Sequence, residues 1–357
     1  MLFKTIVILL SCAFAPGLSY ETSPHQKSRV LSSRNETAVR LLYEYPLGTF
    51  IESIAIRPNG ELLMTLPYNS SVHSIDPLHS NYTPTVVHNF DGLTIFGMTE
   101  YERDVYAVNG GRFSSSTGPV AGTYRVDSLN LTQTMATSST IANISSGQFL
   151  NGMTSLPQWG VGPRNLLVND VAAGVVYNLD PVSGKYFIAI NNTYTQAHEH
   201  PNLGAVGVNG IKIGDGMVYL TNTGLGMLVR FPIHENGTEV AGGAVEILSH
   251  EANSTWFYDD FALRDTIAYV TTGSGNSIER VFAPAVGSQG PIPTEIVVGS
   301  LNSTTVAGPT AAAFGRTPWD SHILYVTTSG ASNVPVDGRI TIGAQVLAID
   351  TTLCSWG

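Results

Sequence analysis

The sequence predicts a single all-β domain, a six-bladed β-propeller, on three observations. A short apolar segment recurs six times, the composition is rich in turn formers with 36 Gly and 19 Pro, and no amphipathic run of four helical turns occurs anywhere in the 357 residues. The segments begin at residues 51–55, 95–99, 150–154, 208–212, 258–262 and 308–312. Their second positions are Glu52, Phe96, Asn151, Asn209, Asp259 and Pro309, so the period is 44 to 58 residues. A repeat of that length with several strands in it is one blade, and six blades close a ring.

The elements follow in order. After each opening segment a turn leads to a β-rich run, at 62–65, 105–108, 166–169, 218–221, 268–271 and 324–327. A third strand follows at 72–76, 123–127, 175–180, 227–232, 278–282 and 345–350, and the fourth strand is the most variable. The opening strands are short and rich in small residues because they converge on the ring axis. The run at 39–45, V-R-L-L-Y-E-Y, has strand character and no repeat of its own; it is expected to complete the last blade and fasten the ring. The propeller domain then covers residues 39–357, after a linker at 20–38.

Residues 1–19 read as a secretory signal peptide. Lys4 supplies the positive start, residues 5–15 are apolar but too short to span a bilayer, and Gly17, Leu18 and Ser19 form a small-residue cleavage neighbourhood. No second long apolar run exists, so no membrane span is expected. Cys12 would leave with the signal, and Cys354 would then stand alone without an intramolecular disulfide. N-x-S/T sites at Asn35, Asn69, Asn81, Asn130, Asn143, Asn191, Asn236, Asn253 and Asn302 predict a glycoprotein of the secretory pathway or extracellular space, with those positions on the outside. Disorder does not suit a chain with 43% hydrophobic and 12% charged residues. A net charge of -10 excludes a basic nucleic-acid binder.

Equivalent positions of six blades face one axis. Glu52, Asn151, Asn209 and Asp259 would therefore converge, and two carboxylates with two amides suit a hard cation such as Ca²⁺. Adjacent strand residues face opposite ways, so either Asp259 or Asp260 points inward. The same residue types also satisfy backbone groups at turns and strand ends. Other constellations are weaker: His198-Glu199-His200 lacks a third ligand nearby, Gly273-Ser274-Gly275-Asn276 has no helix after it, and no G-x-S-x-G elbow is present.

With Glu52 opening the first blade, Val208-Asn209-Gly210-Ile211 the fourth and Asp259-Asp260 the fifth, residues 40–353 resemble the senescence-marker/gluconolactonase (regucalcin-like) propellers. The resemblance implies Glu52, Asn209 and Asp259 as metal ligands and Asn151 as a substrate contact. It also implies a Ca²⁺-dependent lactonase or esterase in which the metal polarises a lactone carbonyl. Phe96 and Pro309 depart from the polar ring, and Phe96, Trp159, Trp256, Phe257, Tyr258 and Phe261 crowd the same end, which makes it more apolar than a sugar-lactone site requires. The secretory, glycosylated character and the opening Leu41-Leu42-Tyr43-Glu44-Tyr45-Pro46 are more similar to fungal propellers of secondary metabolism. Among these are the hetero-Diels-Alderases that join a tropolone-derived quinone methide to humulene in meroterpenoid biosynthesis.

That chemistry suits the residues at this end. An inverse-demand cycloaddition requires no cofactor or nucleophile; it requires two small apolar partners held in register and a donor on the heterodiene carbonyl. Candidate donors are Tyr258, Asn151 and Asn209, and candidate substrate-binding residues are Phe96, Trp159, Trp256 and Phe261. The expected function is a hetero-Diels-Alderase, with the lactonase and a non-catalytic secreted binding propeller as alternatives.

Overall fold

The computed structural model describes residues 30–31, 39–79, 82–114, 117–157, 162–251, 256–288 and 292–353. Among these the strands form six antiparallel blades of a β-propeller. Blade 1 runs Ile54–Ile56, Leu62–Leu66, Ser71–Ile75 and Thr85–Asn89, and blade 2 Thr94–Glu102, Val105–Gly111, Arg125–Asn130 and Thr137–Asn143. Blade 3 comprises Leu150–Ser155, Leu166–Asp170, Val175–Leu179 and Tyr186–Ile190, and blade 4 Val208–Gly214, Met217–Asn222, Met227–Pro232 and Glu246–His250. Blade 5 comprises Phe261–Arg264, Ile267–Thr271, Ser277–Phe282 and Thr294–Gly299. Blade 6 takes Pro309–Phe314, Ile323–Thr328 and Gly343–Asp350 from the end of the chain, and Val39–Leu47 pairs antiparallel with its third strand. The ring is therefore closed by the strand expected to do so. Val30–Leu31, inside the expected linker, adds a short pairing outside that strand.

Burial follows strand position. The second strands lie between two neighbouring blades and are apolar on both faces, so Leu62–Leu66 is buried throughout. The outer strands have one wet face and edge; Thr137–Asn143 is mostly exposed. Tight hairpins join first and second strands, and Asp104, Asp215 and Asp265 take left-handed φ values of 55°, 51° and 52° there.

A hoop of side-chain bonds ties each blade to the next around the axis. Thr65 Oγ1 donates to the Phe96 carbonyl (2.6 Å), Asn109 Nδ2 to that of Asn151, Asn169 Nδ2 to that of Asn209 (2.5 Å), and Thr221 Oγ1 to that of Asp259 (2.6 Å). Thr271 Oγ1 reaches the Thr310 carbonyl (3.2 Å), and Thr310 Oγ1 closes the circle on that of Ile51 (2.8 Å). The bonded carbonyls press on the glycine that follows the channel residue in the preceding blade. A Cβ at Gly97 would lie 2.0 Å from the Asn151 oxygen, and one at Gly152 1.9 Å from the Asn209 oxygen, so no other residue fits.

These glycines sit in a bulge that follows the channel residue. The pairing register shifts between Ile95 and Met98, Leu150 and Met153, Val208 and Ile211, and Pro309 and Ala311. A bulge places two residues against one and reverses which face the next side chain takes. Its consequence appears in the site.

Residues 1–19, Cys354, Trp159 and the sites Asn35, Asn81 and Asn253 lie outside the described residues. Of the other N-x-S/T sites, Asn69, Asn143, Asn191, Asn236 and Asn302 are exposed and Asn130 is half-buried. Among the described residues no helix is long and apolar enough to cross a membrane.

Candidate active site at one mouth of the channel

Glu52, Asn151, Asn209 and Asp259 do converge. They form the polar side of one cavity of about 90 Å³ at the end of the channel where the first strands begin. Asn151 Nδ2 donates to Glu52 Oε1 at 2.7 Å, and Asn209 Nδ2 donates to Asp259 Oδ1 at 2.8 Å and to Thr223 Oγ1 at 3.1 Å. All four side chains are buried. Burial pushes the Glu52 carboxyl up to about 7, with the charge of Asp260 adding to it and the Asn151 bond opposing it. Asp259 is raised well above the usual carboxylate range by burial, then by the charges of Glu52 and Asp260.

Asp259 is the acid that faces this cavity. Asp260 faces the other way, pairs with Lys212 Nζ at 2.5 Å and lines a separate, wider cavity of about 420 Å³ with Arg164 and Arg316.

The remaining walls are mainly apolar, with Thr223 and Asn333 the polar exceptions. Phe50, Phe96, Phe113, Phe149 and Phe257 line the chamber with Tyr68, Val171, Leu203 and Val206. Phe96 and Phe149 meet edge to face with centroids 4.9 Å apart, and Phe113 stands 6.4 Å from Phe149. Three segments cap this mouth: the 3₁₀ turn Pro67–Asn69, the paired strands Phe113–Ser114 and Gly118–Pro119, and the hairpin of His198–His200 with Gly204–Val206. His200 fixes the last of these: its Nε2 donates to the Trp256 carbonyl at 2.8 Å, and its Nδ1 accepts from the Asn202 amide. Burial lowers the affinity of that ring for a second proton. The histidine pair of the sequence is thus part of the cap.

Three sequence-predicted residues lie elsewhere. Tyr258 is fully buried between blades 4 and 5, where its hydroxyl donates to Glu279 Oε2 (2.5 Å) and meets Ser249 Oγ (2.9 Å), so it is not placed as a donor to a ligand. The reason is alternation: Ile51, Ile95, Leu150, Val208 and Tyr258 each precede a channel residue by one and are all fully buried between blades. Phe261 is buried there too, with Lys212 Nζ 5.1 Å from its ring. It stands two residues after the channel residue, as Met98, Met153 and Ile211 do, beyond a bulge in which the Asp259 N–H donates to the Thr271 carbonyl and the Thr271 N–H to that of Asp260. Trp256 lies against Gly275 behind Phe257 and does not line the chamber.

Sequence reasoning missed Phe50 and Phe149, and a signal existed. Phe50-Ile51-Glu52, Phe149-Leu150-Asn151 and Phe257-Tyr258-Asp259 are the same F-x-polar triplet in three blades, with both ends of each facing the chamber.

The donor types suit a hard cation, but their arrangement does not. Both amides turn their hydrogens toward the carboxylates, where a metal site would turn carbonyl oxygens inward. Glu52 is paired with Asn151, and Asp259 with Asn209, as two amide–carboxyl pairs.

Comparison with known proteins shows the family by sequence and the fold by structure. No family model matches the chain. It is 31% identical over 314 residues to a candidate hetero-Diels-Alderase of a Phoma species, covering 81% of this chain and 86% of that protein. It is 32% identical over 341 residues to another candidate hetero-Diels-Alderase, from Sarocladium schorii, covering 88% and 83%. Among solved structures it superimposes on a luciferin-regenerating enzyme (TM-score 0.61, 14% identity, 88% of this chain and 95% of that one). It also superimposes on a regucalcin from Agrobacterium tumefaciens (TM-score 0.59, 14% identity, 90% and 97%). At such identities the structural matches speak for the fold.

Proposed function

Because the chain belongs to the hetero-Diels-Alderase family, we propose that its chamber couples a tropolone-derived quinone methide to a humulene-type sesquiterpene, in the biosynthesis of a fungal meroterpenoid. The observation that carries this reading is the division of the chamber into a polar ring and an aromatic wall. A heterodiene is polar at its carbonyl and apolar elsewhere, and its partner is a hydrocarbon. The division therefore orients one partner and leaves the other to the phenylalanines.

The mechanism is positional. The heterodiene carbonyl points to the ring and the alkene lies along Phe96, Phe113 and Phe149, which removes the entropy of bringing two molecules into register. Asn151 supplies the donor: one amide hydrogen is held by Glu52, and the other has no partner among the described residues. A hydrogen bond there draws electron density from the heterodiene and lowers its acceptor orbital. Two new bonds form in one step between the heterodiene ends and the alkene, and no electron or proton leaves the pair. Asn209 spends both hydrogens inside the protein and serves to hold Asp259. The capping segments keep water from the quinone methide, which water would quench.

We also read the chain as a glycosylated product of the secretory pathway, a reading supported by the leader-like 1–19 and the N-x-S/T sites. The Ca²⁺-dependent lactonase remains a second reading on one observation, the two buried carboxylates of the ring. One experiment tests both: the purified protein is incubated with a quinone-methide precursor plus humulene and, separately, with a panel of lactones. Acceleration with a single stereoisomer is expected in the first arm and no turnover in the second. Product ratios equal to the enzyme-free control would overturn the cycloaddition.

A further inference from the structure

Asn333 stands in the loop between the second and third strands of blade 6, which bends over the chamber. Its neighbour Val334 packs on the cluster that contains Phe96, Phe149 and Phe257, and Asn333 itself lines the cavity. Its Oδ1 is sealed from solvent and meets no donor among the described residues. A buried acceptor left unmatched carries the whole cost of losing its water. Such an atom at the edge of a chamber is accounted for when its partner arrives from outside.

The other two chamber amides differ in this respect. Asn151 and Asn209 are each held on a buried carboxyl group, and a ligand turning either one would break that bond. No hydrogen bond among the described residues holds the Asn333 amide. Its terminal torsion is soft, so a rotation that brings the oxygen to the cavity breaks nothing.

We propose that Asn333 is a specificity-determining residue that accepts a hydrogen bond from a hydroxyl on the ring of the bound substrate. This deepens the cycloaddition reading and rests on it for the carbonyl end of the substrate. The ligand class is a ring with a carbonyl at one end, directed to Asn151, and a free hydroxyl at the other, under the cap. A pure hydrocarbon satisfies neither group and is directed to the aromatic wall.

The test is a binding ratio. 4-Hydroxybenzaldehyde and 4-methoxybenzaldehyde carry the same carbonyl and differ in the distal donor. Each is titrated by NMR into the full chain as wild type, Asn333→Leu, Asn333→Ala and, as a control outside the cavity lining, Ser332→Ala. Wild type and Ser332→Ala are expected to bind the hydroxyl compound about tenfold more tightly, and the ratio falls to about one in both Asn333 variants. Comparing two ligands on one protein cancels any loss of folded material. Equal affinities in wild type, binding of neither compound, or a ratio kept in the variants overturns the proposal. Because no turnover is read, a failed ratio leaves the cycloaddition standing, and a failed cycloaddition leaves the ratio readable.

Discussion

Glu52 links the chamber to pH. Its folded carboxyl is raised from 4.5 to about 7, chiefly by burial, so between those values the folded chain keeps a proton that the unfolded chain has lost. The stabilisation is therefore complete below about 4.5 and disappears as pH rises through about 7. Asp259, raised by burial and its two acidic neighbours, acts with the same sign. Melting temperature should fall between pH 5 and 8, and Glu52→Gln should flatten that slope and raise the melting point at pH 8 by a few degrees, at about 2–4 °C per kcal/mol. A scan with the wild-type slope in the variant would count against this. On activity, Asn151→Leu should slow coupling about tenfold with stereoselectivity kept, as loss of a donor does. Phe96→Ala should lower both, and chiral product analysis separates the two patterns. The polar members of the chamber were legible in the sequence because one column of the repeat held them. Tyr258 and Phe261 were misplaced because composition shows that aromatics are near an axis but not which face they take; alternation decides that for Tyr258, and the bulge, a backbone event, for Phe261.

The hoop between blades acts at the scale of the element. Five links take their donor from the second strand of the preceding blade, and Thr310, in the first strand of blade 6, supplies the sixth. Asn169→Ala should leave the Asn209 carbonyl buried without a donor and cost about 1–3 kcal/mol. Asn169→Thr should recover part of that loss, because Thr65 and Thr221 make the same link in their own blades. Chemical denaturation of the three proteins checks the order. The strands themselves were legible from their apolar runs, and so was the closing strand, which had no repeat to belong to. The cap was not: the hairpin of His198–His200 and Gly204–Val206 lies between blades, outside any period, and a search for recurrence passes over it.

For the whole molecule the closing strand has the largest effect. Val39–Leu47 buries Val39, Leu42 and Tyr45 against the last blade, and its removal would leave an open sheet edge and a ring without closure. A chain starting at residue 48 should fail to give a cooperative thermal transition. Treatment with EDTA, by contrast, should leave cycloaddition unchanged; loss of turnover that Ca²⁺ restores would show that the chamber works with a bound metal. The hoop carries one more consequence. It grips main-chain oxygens at Phe96, Asn151, Asn209 and Asp259 and makes no demand on what those residues carry beyond Cβ. The ring is thus a socket with exchangeable pins: an acid, an amide or a phenyl group can stand in the same backbone seat, and a descendant could acquire new chemistry by replacing a pin without re-forging the ring.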